Sequence, residues 1–178
     1  GMSEADMVAL APHTRHVAGL PGAGGGDPGP ATARGVHLAV KAAAHHALGT
    51  DSMRQVHVAI QGVGSVGSGL ARLLAADGAR LTIADVDTKR AAKLADELGA
   101  TIVAADKITT VEANVFAPCA LGKVLNAASI AALRVAAVAG GANQNKGGNH
   151  DRILALERWR SHGLERWRSH GLELRTFH

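Results

Sequence analysis

Short β-branched runs alternate with amphipathic helical stretches over residues 56–140. This alternation predicts an α/β domain on a doubly wound, mainly parallel sheet with helices on both faces. Two further observations agree. The 178 residues suit one domain with a full core. The composition is 47% apolar, much of it Ala, but only 2% aromatic, with no Tyr. That favours helices packed closely on a sheet over an aromatic-rich β-sandwich.

The elements follow in order. A short helix is expected around residues 4–11, then an extended stretch over 16–20. "PGAGGGDPGP", residues 21–30, is too rich in Gly and Pro for regular structure and reads as a hinge loop. Pro30 suits the first position of the next helix, where its missing N–H is no loss. That helix runs to Gly49, and its abundance of Ala, Val and Leu predicts that it is largely buried. "VHVAI" is a first strand. "SVGSGLARLLAADG" is a helix with Val66, Leu70, Leu73 and Leu74 on one face and Gly78 as its stop. "RLTIAD" is a second strand, and "TKRAAKLADELG" a charged amphipathic helix ending at Gly99. "TIVA" and "NVFAPCA" read as strands, "SIAALR" as a helix and "VAAVAG" as the last strand.

Residues 156–178 differ in style. "LERWRSHG" occurs twice in succession, and the segment sets five arginines against three glutamates, half of the chain's +4 excess. We therefore divide the chain into a domain over 1–155 and an atypical basic tail over 156–178. The rest is close to charge balance, so nothing in the bulk charge suggests a nucleic-acid partner. The single Cys119 allows no internal disulfide and no cysteine-based zinc site. No apolar run reaches the roughly 20 residues of a membrane span, and the first residues lack the pattern of a signal peptide. A cytoplasmic setting is the expectation. Ten histidines are present, but none has HExxH-like spacing, and no metal site is expected.

Gly62–Gly67 read G-x-G-x-x-G. The motif alone is weak; its context makes it informative, because it follows a predicted strand and opens a predicted helix. In a Rossmann-type unit Gly62 permits the sharp turn, Gly64 leaves room for a diphosphate, and Gly67 lets the helix pack closely. The first helical amides and the helix dipole then face the anion. Asp85 ends the second strand, 18 residues after Gly67. An acid there accepts the ribose hydroxyls and repels a 2′-phosphate, which favours NAD over NADP; Lys89 and Arg90 nearby soften that preference. The competing reading is a βαβ turn with no ligand. Cys119, at the end of a buried strand with no base identifiable beside it, reads as a packed thiol. Asp27 reads as a turn former beside Pro28.

Four segments in order, "GDPGPATARGVHLAVKAAA", "VAIQGVGSVG", "IADVD" and "NVFAPCALGKVLN", resemble the leucine, phenylalanine and valine dehydrogenases of the glutamate dehydrogenase superfamily. The resemblance runs from about Met2 to Ala155, and "APCALG" is its most specific piece. It implies NAD-dependent oxidative deamination of a branched-chain or aromatic L-amino acid to the 2-oxo acid and ammonia. It implies that Gly62, Gly64, Ser65, Val66 and Gly67 hold the diphosphate, and that Asp85 holds the adenosine ribose, with Val86 beside it. Ala117, Cys119, Ala120 and Leu121 match the stretch that passes the adenine and the nicotinamide ribose. Thr32 matches a threonine near the carboxamide, and Asn143 an asparagine of the cofactor loop. That loop usually reads Ala-Asn-Asn or Ala-Asp-Asn; here it is Ala142-Asn143-Gln144.

The family's two working lysines and its aspartate lie in a preceding substrate domain. Lys41, the first lysine of this chain, lacks their glycine-rich context. The resemblance therefore implies no catalytic residue here, an amino-acid partner reached only through an N-terminal domain, and a homo-oligomer in the full-length family. The chain alone is expected to bind NAD(H) without turnover. The alternative is a stand-alone dinucleotide-binding module, or an inactive paralogue with an interaction tail.

Overall fold

The computed structural model describes residues 4–17, 20, 26–120 and 124–142. The basic repeat over 156–178, and with it the division of the chain at residue 155, lies outside the described residues, as do Leu121 and Asn143. Helices α1 (Glu4–Leu10) and α2 (Gly29–Leu48) precede strand β1 (His57–Gln61), helix α3 (Ser65–Ala76), strand β2 (Arg80–Ala84) and helix α4 (Thr88–Leu98). Strand β3 (Thr101–Ile102), strand β4 (Val115–Pro118), helix α5 (Ala127–Ala132) and strand β5 (Ala137–Val138) complete the order. The five strands are all parallel, in the order β3-β2-β1-β4-β5. The chain starts in the middle, winds outward through β2 and β3, and then crosses to β4 and β5. The crevice between β1 and β4 is thus the topological switch point, where sheets of this kind bind ligands.

The two faces are covered differently. Val58, Ile60, Leu81, Ile83, Val115 and Ala117 pack with side chains of α2, α3 and α4. On the other face Ala59, Ala84 and Phe116 pack with Ile108, Leu125, Ile130, Leu133 and Val135. Phe116 is fully buried and is the largest such side chain among the described residues. Small residues let the first layer close tightly. A Cβ on Gly69 would lie 2.9 Å from the Ala33 methyl, so α2 and α3 touch almost backbone to backbone.

Helix ends follow local chemistry. Asp87 caps α4 by accepting the Arg90 amide at 3.1 Å. Asn126 and Ser129 form a reciprocal capping box that holds the six-residue α5. Gly99 ends α4 in the left-handed region at φ 64°.

Two expectations need correction. Helix α2 is not largely buried: it turns only Gly29, Ala33, Val36, Val40 and Ala44 inward, at helical spacing, while Leu38 is 66% exposed. An alanine-rich helix looks apolar on every side, yet a sheet can cover only one stripe. The later strands are also shorter than their apolar runs. "TIVA" pairs only at Thr101 and Ile102, and "VAAVAG" only at Ala137 and Val138. Val135 instead turns into the second core layer.

Candidate functional site

The glycine loop leaves β1 at the crevice. Gly62 has φ 84°, a conformation open to glycine at little cost, and its amide donates to the Ala84 carbonyl at 2.7 Å. A Cβ there would also meet the Ala120 backbone at 2.7 Å. Gly67 is required for another reason, since a Cβ on it would fall 1.9 Å from the Gly62 carbonyl oxygen. The first turn of α3 therefore rests directly on the loop.

Gly64 differs. It has φ −68°, which any residue adopts, and a Cβ there would meet nothing closer than Arg90 Nη1 at 3.9 Å. The chain's own packing does not need this glycine, so the space it leaves is available to a ligand. The first intrahelical hydrogen bond at this end runs from the Ser68 amide to the Gly64 carbonyl at 2.9 Å. The amides of Ser65, Val66 and Gly67 precede it and have no carbonyl of their own helix to bond. Open space, free donors and the positive end of a helix dipole meet here, which is what a diphosphate requires.

Asp85 closes the arrangement from β2. One carboxylate oxygen accepts the Val63 amide at 2.7 Å and the other the Asp87 amide at 2.8 Å. The acid thus ties the glycine loop to the turn after β2. A carboxylate has roughly four acceptor positions, so each oxygen keeps one free for a sugar hydroxyl. Val86 beside it is 91% exposed, an apolar surface next to the acid. A cleft of about 320 Å³ runs from the loop between α3 and α4, with Gly64, Ser65, Arg72, Arg90 and Lys93 among its walls. Arg90 is tied to Asp87 at 3.1 Å and Arg72 to Glu97 at 2.6 Å.

Helix α2 brings a second N-terminus to the same place. Asp27 accepts the Gly29 amide at 2.8 Å and the Ser65 hydroxyl at 2.7 Å, which joins the first turns of α2 and α3. Those bonds, the Ser65 hydroxyl first, hold the Asp27 carboxyl below the usual carboxylate range. Thr32 lies on the exposed first turn of α2 and donates to the Pro28 carbonyl at 2.8 Å. Neither the 38-residue reach from Asp27 to Ser65 nor the Asp85–Val63 bond has a local sequence signal, and the sequence reading missed both.

On the β4 side, the Cys119 amide donates to the Gln61 carbonyl at 2.7 Å and the Ala142 amide to the Pro118 carbonyl at 2.8 Å. The loops after β1, β4 and β5 are thereby laced together. Cys119 is half-buried, and desolvation pushes its thiol up despite the Gly141 amide nearby; it is a poor nucleophile as it stands. Ala120 sits against Gly62. Ala117 is fully buried within the core and presents no side-chain surface to the crevice. The structure thus gathers Gly62, Gly64, Ser65, Val66, Gly67, Asp85, Cys119 and Ala120 around one crevice.

Residues 24–89 match the Glutamate/Leucine/Phenylalanine/Valine dehydrogenase family, and residues 57–133 match the family described as NADP oxidoreductase coenzyme F420-dependent. Among curated proteins, leucine dehydrogenase of Thermoactinomyces intermedius is 42% identical over 157 residues, which are 86% of this chain and 43% of that protein. L-tryptophan dehydrogenase of Nostoc punctiforme is 35% identical over 152 residues, 84% of this chain and 43% of that protein. The crystal structure of L-tryptophan dehydrogenase from Nostoc punctiforme superposes with a TM-score of 0.68 at 36% identity, covering 72% of this chain and 39% of that one. A hetero-hexameric glutamate dehydrogenase from Thermus thermophilus, 20% identical, shares the fold with a TM-score of 0.63. The chain spans less than half the length of the curated relatives it matches. Over most of its length the chain is thus similar to the NAD-binding part of NAD-dependent dehydrogenases of the glutamate/leucine/phenylalanine/valine type.

Proposed function

We propose that the whole protein oxidatively deaminates a branched-chain or aromatic L-amino acid, and that this chain holds the NAD(H) for that reaction. The observation that carries the reading is Gly64, a glycine that the chain's own packing does not need, placed before free helix amides and beside Asp85. NAD supplies the hydride acceptor. The amides of Ser65 and Val66 orient its diphosphate, and the spare lone pairs of Asp85 orient the adenosine ribose. Val86, Cys119 and Ala120 form walls of the crevice, Ala117 supports them from the core, Leu121 is assigned with them to the adenine and nicotinamide ribose, and Thr32 and Asn143 serve the nicotinamide end.

NAD is preferred to NADP because Asp85 faces the ribose and Arg90 is already paired with Asp87. The domain over 1–155 is the cofactor-binding unit, and the segment over 156–178 is an appendage to it. The amino acid reaches the nicotinamide from a separate substrate domain, which carries the acid–base residues. Assembly into a homo-oligomer and a cytoplasmic setting belong to the same reading. No helix among the described residues is long and apolar enough to cross a membrane.

Calorimetric titration of the chain with NADH and NADPH, beside an oxidation assay with leucine, valine and phenylalanine, tests this. The expected outcome is NADH binding tighter than NADPH, with no oxidation by the chain alone. Absence of NADH binding refutes the reading, and turnover by the chain alone refutes the assignment of chemistry to a separate domain.

A further inference from the structure

Two helices, not one, border the space in front of Gly64. Helix α3 supplies the amides, and helix α4 supplies Arg90 on the other wall of the cleft. Chain neighbours aside, Arg90 Nη1 is the one heavy atom among the described residues within 4 Å of a Cβ on Gly64, at 3.9 Å. That is an ordinary contact distance, so the guanidinium edges the open space without filling it.

The chain itself holds the guanidinium there. One Asp87 oxygen accepts the Arg90 amide at 3.1 Å, and the other accepts Nη2 at 3.1 Å. Asp87 is anchored in turn. Its amide donates to Asp85 at 2.8 Å, and Asp85 accepts the Val63 amide at 2.7 Å. An unbroken run of hydrogen bonds thus links Arg90 to the residue before Gly64. The Arg90 amide first, and then its guanidinium, hold the Asp87 carboxyl below the usual carboxylate range. A guanidinium carries five N–H donors in a planar fork. Asp87 takes one from Nη2, while Nη1 has no hydrogen bond among the described residues. The other cations of the cleft differ. Glu97 holds Arg72 through Nε at 2.6 Å and Nη2 at 2.8 Å. Lys93 lines the cleft but does not come within 4 Å of the Gly64 position.

We propose that Arg90 is a cofactor-contacting residue: Nη1 donates to a diphosphate oxygen of NAD(H), and Asp87 is the positioning residue that aims the fork. This rests on the reading that Gly64 makes room for the diphosphate. The Ser65 and Val66 amides meet the anion from α3, and Arg90 meets it from α4. Asp87 balances the charge of Arg90, so Arg90 offers directed N–H groups more than net charge. It favours an anion fixed beside Gly64 over one elsewhere on the cofactor, such as a 2′-phosphate.

Calorimetric titration of the 178-residue chain with NADH and with NADPH tests this. Arg90→Gln is expected to weaken both about tenfold, the loss of one charge-assisted hydrogen bond to a group that both cofactors share. Lys93→Gln removes a charge from the same cleft and changes either affinity by less than about twofold. Asp87→Asn weakens NADH about threefold in the parent but leaves it unchanged in the Arg90→Gln background, where there is no fork to aim. A residue that only capped the helix would act alike in both. A loss confined to NADPH puts Arg90 at the 2′-phosphate and overturns the proposal. Unchanged NADH affinity in Arg90→Gln overturns it too, as does an equal loss in Lys93→Gln, which would be general attraction by positive charge. In each of these cases NADH binding by the parent leaves the cofactor reading standing. A parent chain that binds neither cofactor sinks both.

Discussion

The two sides of the glycine loop make different demands on the same residue type. On the core side, Gly62 and Gly67 are fixed by the chain itself, one by a left-handed backbone and both by neighbours that leave no room for a methyl group. On the crevice side, Gly64 has an ordinary backbone and open space before it. The motif spacing treats the three glycines alike. Packing separates those that build the fold from the one that leaves room for a ligand.

Substitutions can break or sharpen that contrast. The largest effect is expected from Gly67→Ala, which sets a methyl group against a backbone carbonyl that cannot swing away. We expect a loss of at least about 3 kcal/mol in urea denaturation, or failure to fold. Asp85→Ala straddles the two sides. It removes the acceptor for two loop amides, at a cost of about 1–3 kcal/mol, and NADH affinity should fall about tenfold by calorimetry. Unchanged stability would mean that Asp85 serves the ligand alone. Gly64→Ala should be within about 0.5 kcal/mol of the parent in stability yet bind NADH about tenfold more weakly. If stability falls and affinity holds, the contrast is wrong.

The smallest effect concerns Asp27. Its carboxylate is favoured in the folded chain by the Ser65 and Gly29 bonds. Its contribution is therefore complete above the ordinary carboxylate range and disappears as pH falls through the lower, folded-state value. Asp27→Asn should flatten the acid limb of a stability–pH curve measured by urea midpoints. An unaltered limb would show that the tie between α2 and α3 carries no net stability.

Strands β1 and β2 were legible to within one residue at each end. Helix α4 lies where its period and its terminal Gly99 place it, while its cap, Asp87, came only with the structure. The second half of the sheet was legible only as an alternation. Its apolar runs outlast their ladders because residues such as Val135 supply a core layer that only short elements cover, instead of pairing. Helix α2 misled through alanine, whose small side chain satisfies buried and exposed positions alike. At the crevice, the motif and the acid at the end of β2 could be read from spacing. The bonds of Asp85 to Val63 and of Asp27 to Ser65 could not, because they join residues brought together only by the crossovers. The burial of His57 was hidden too, since a histidine opening a strand gives no sign of which face is covered.

The brevity of β3 has its own consequence. Only Thr101 and Ile102 pair there, at one margin of the sheet. A foreign strand arriving at that margin finds two rungs to grip, too few to start a stack of chains. On that flank, self-association has to proceed through helical surfaces rather than by extending the ladder.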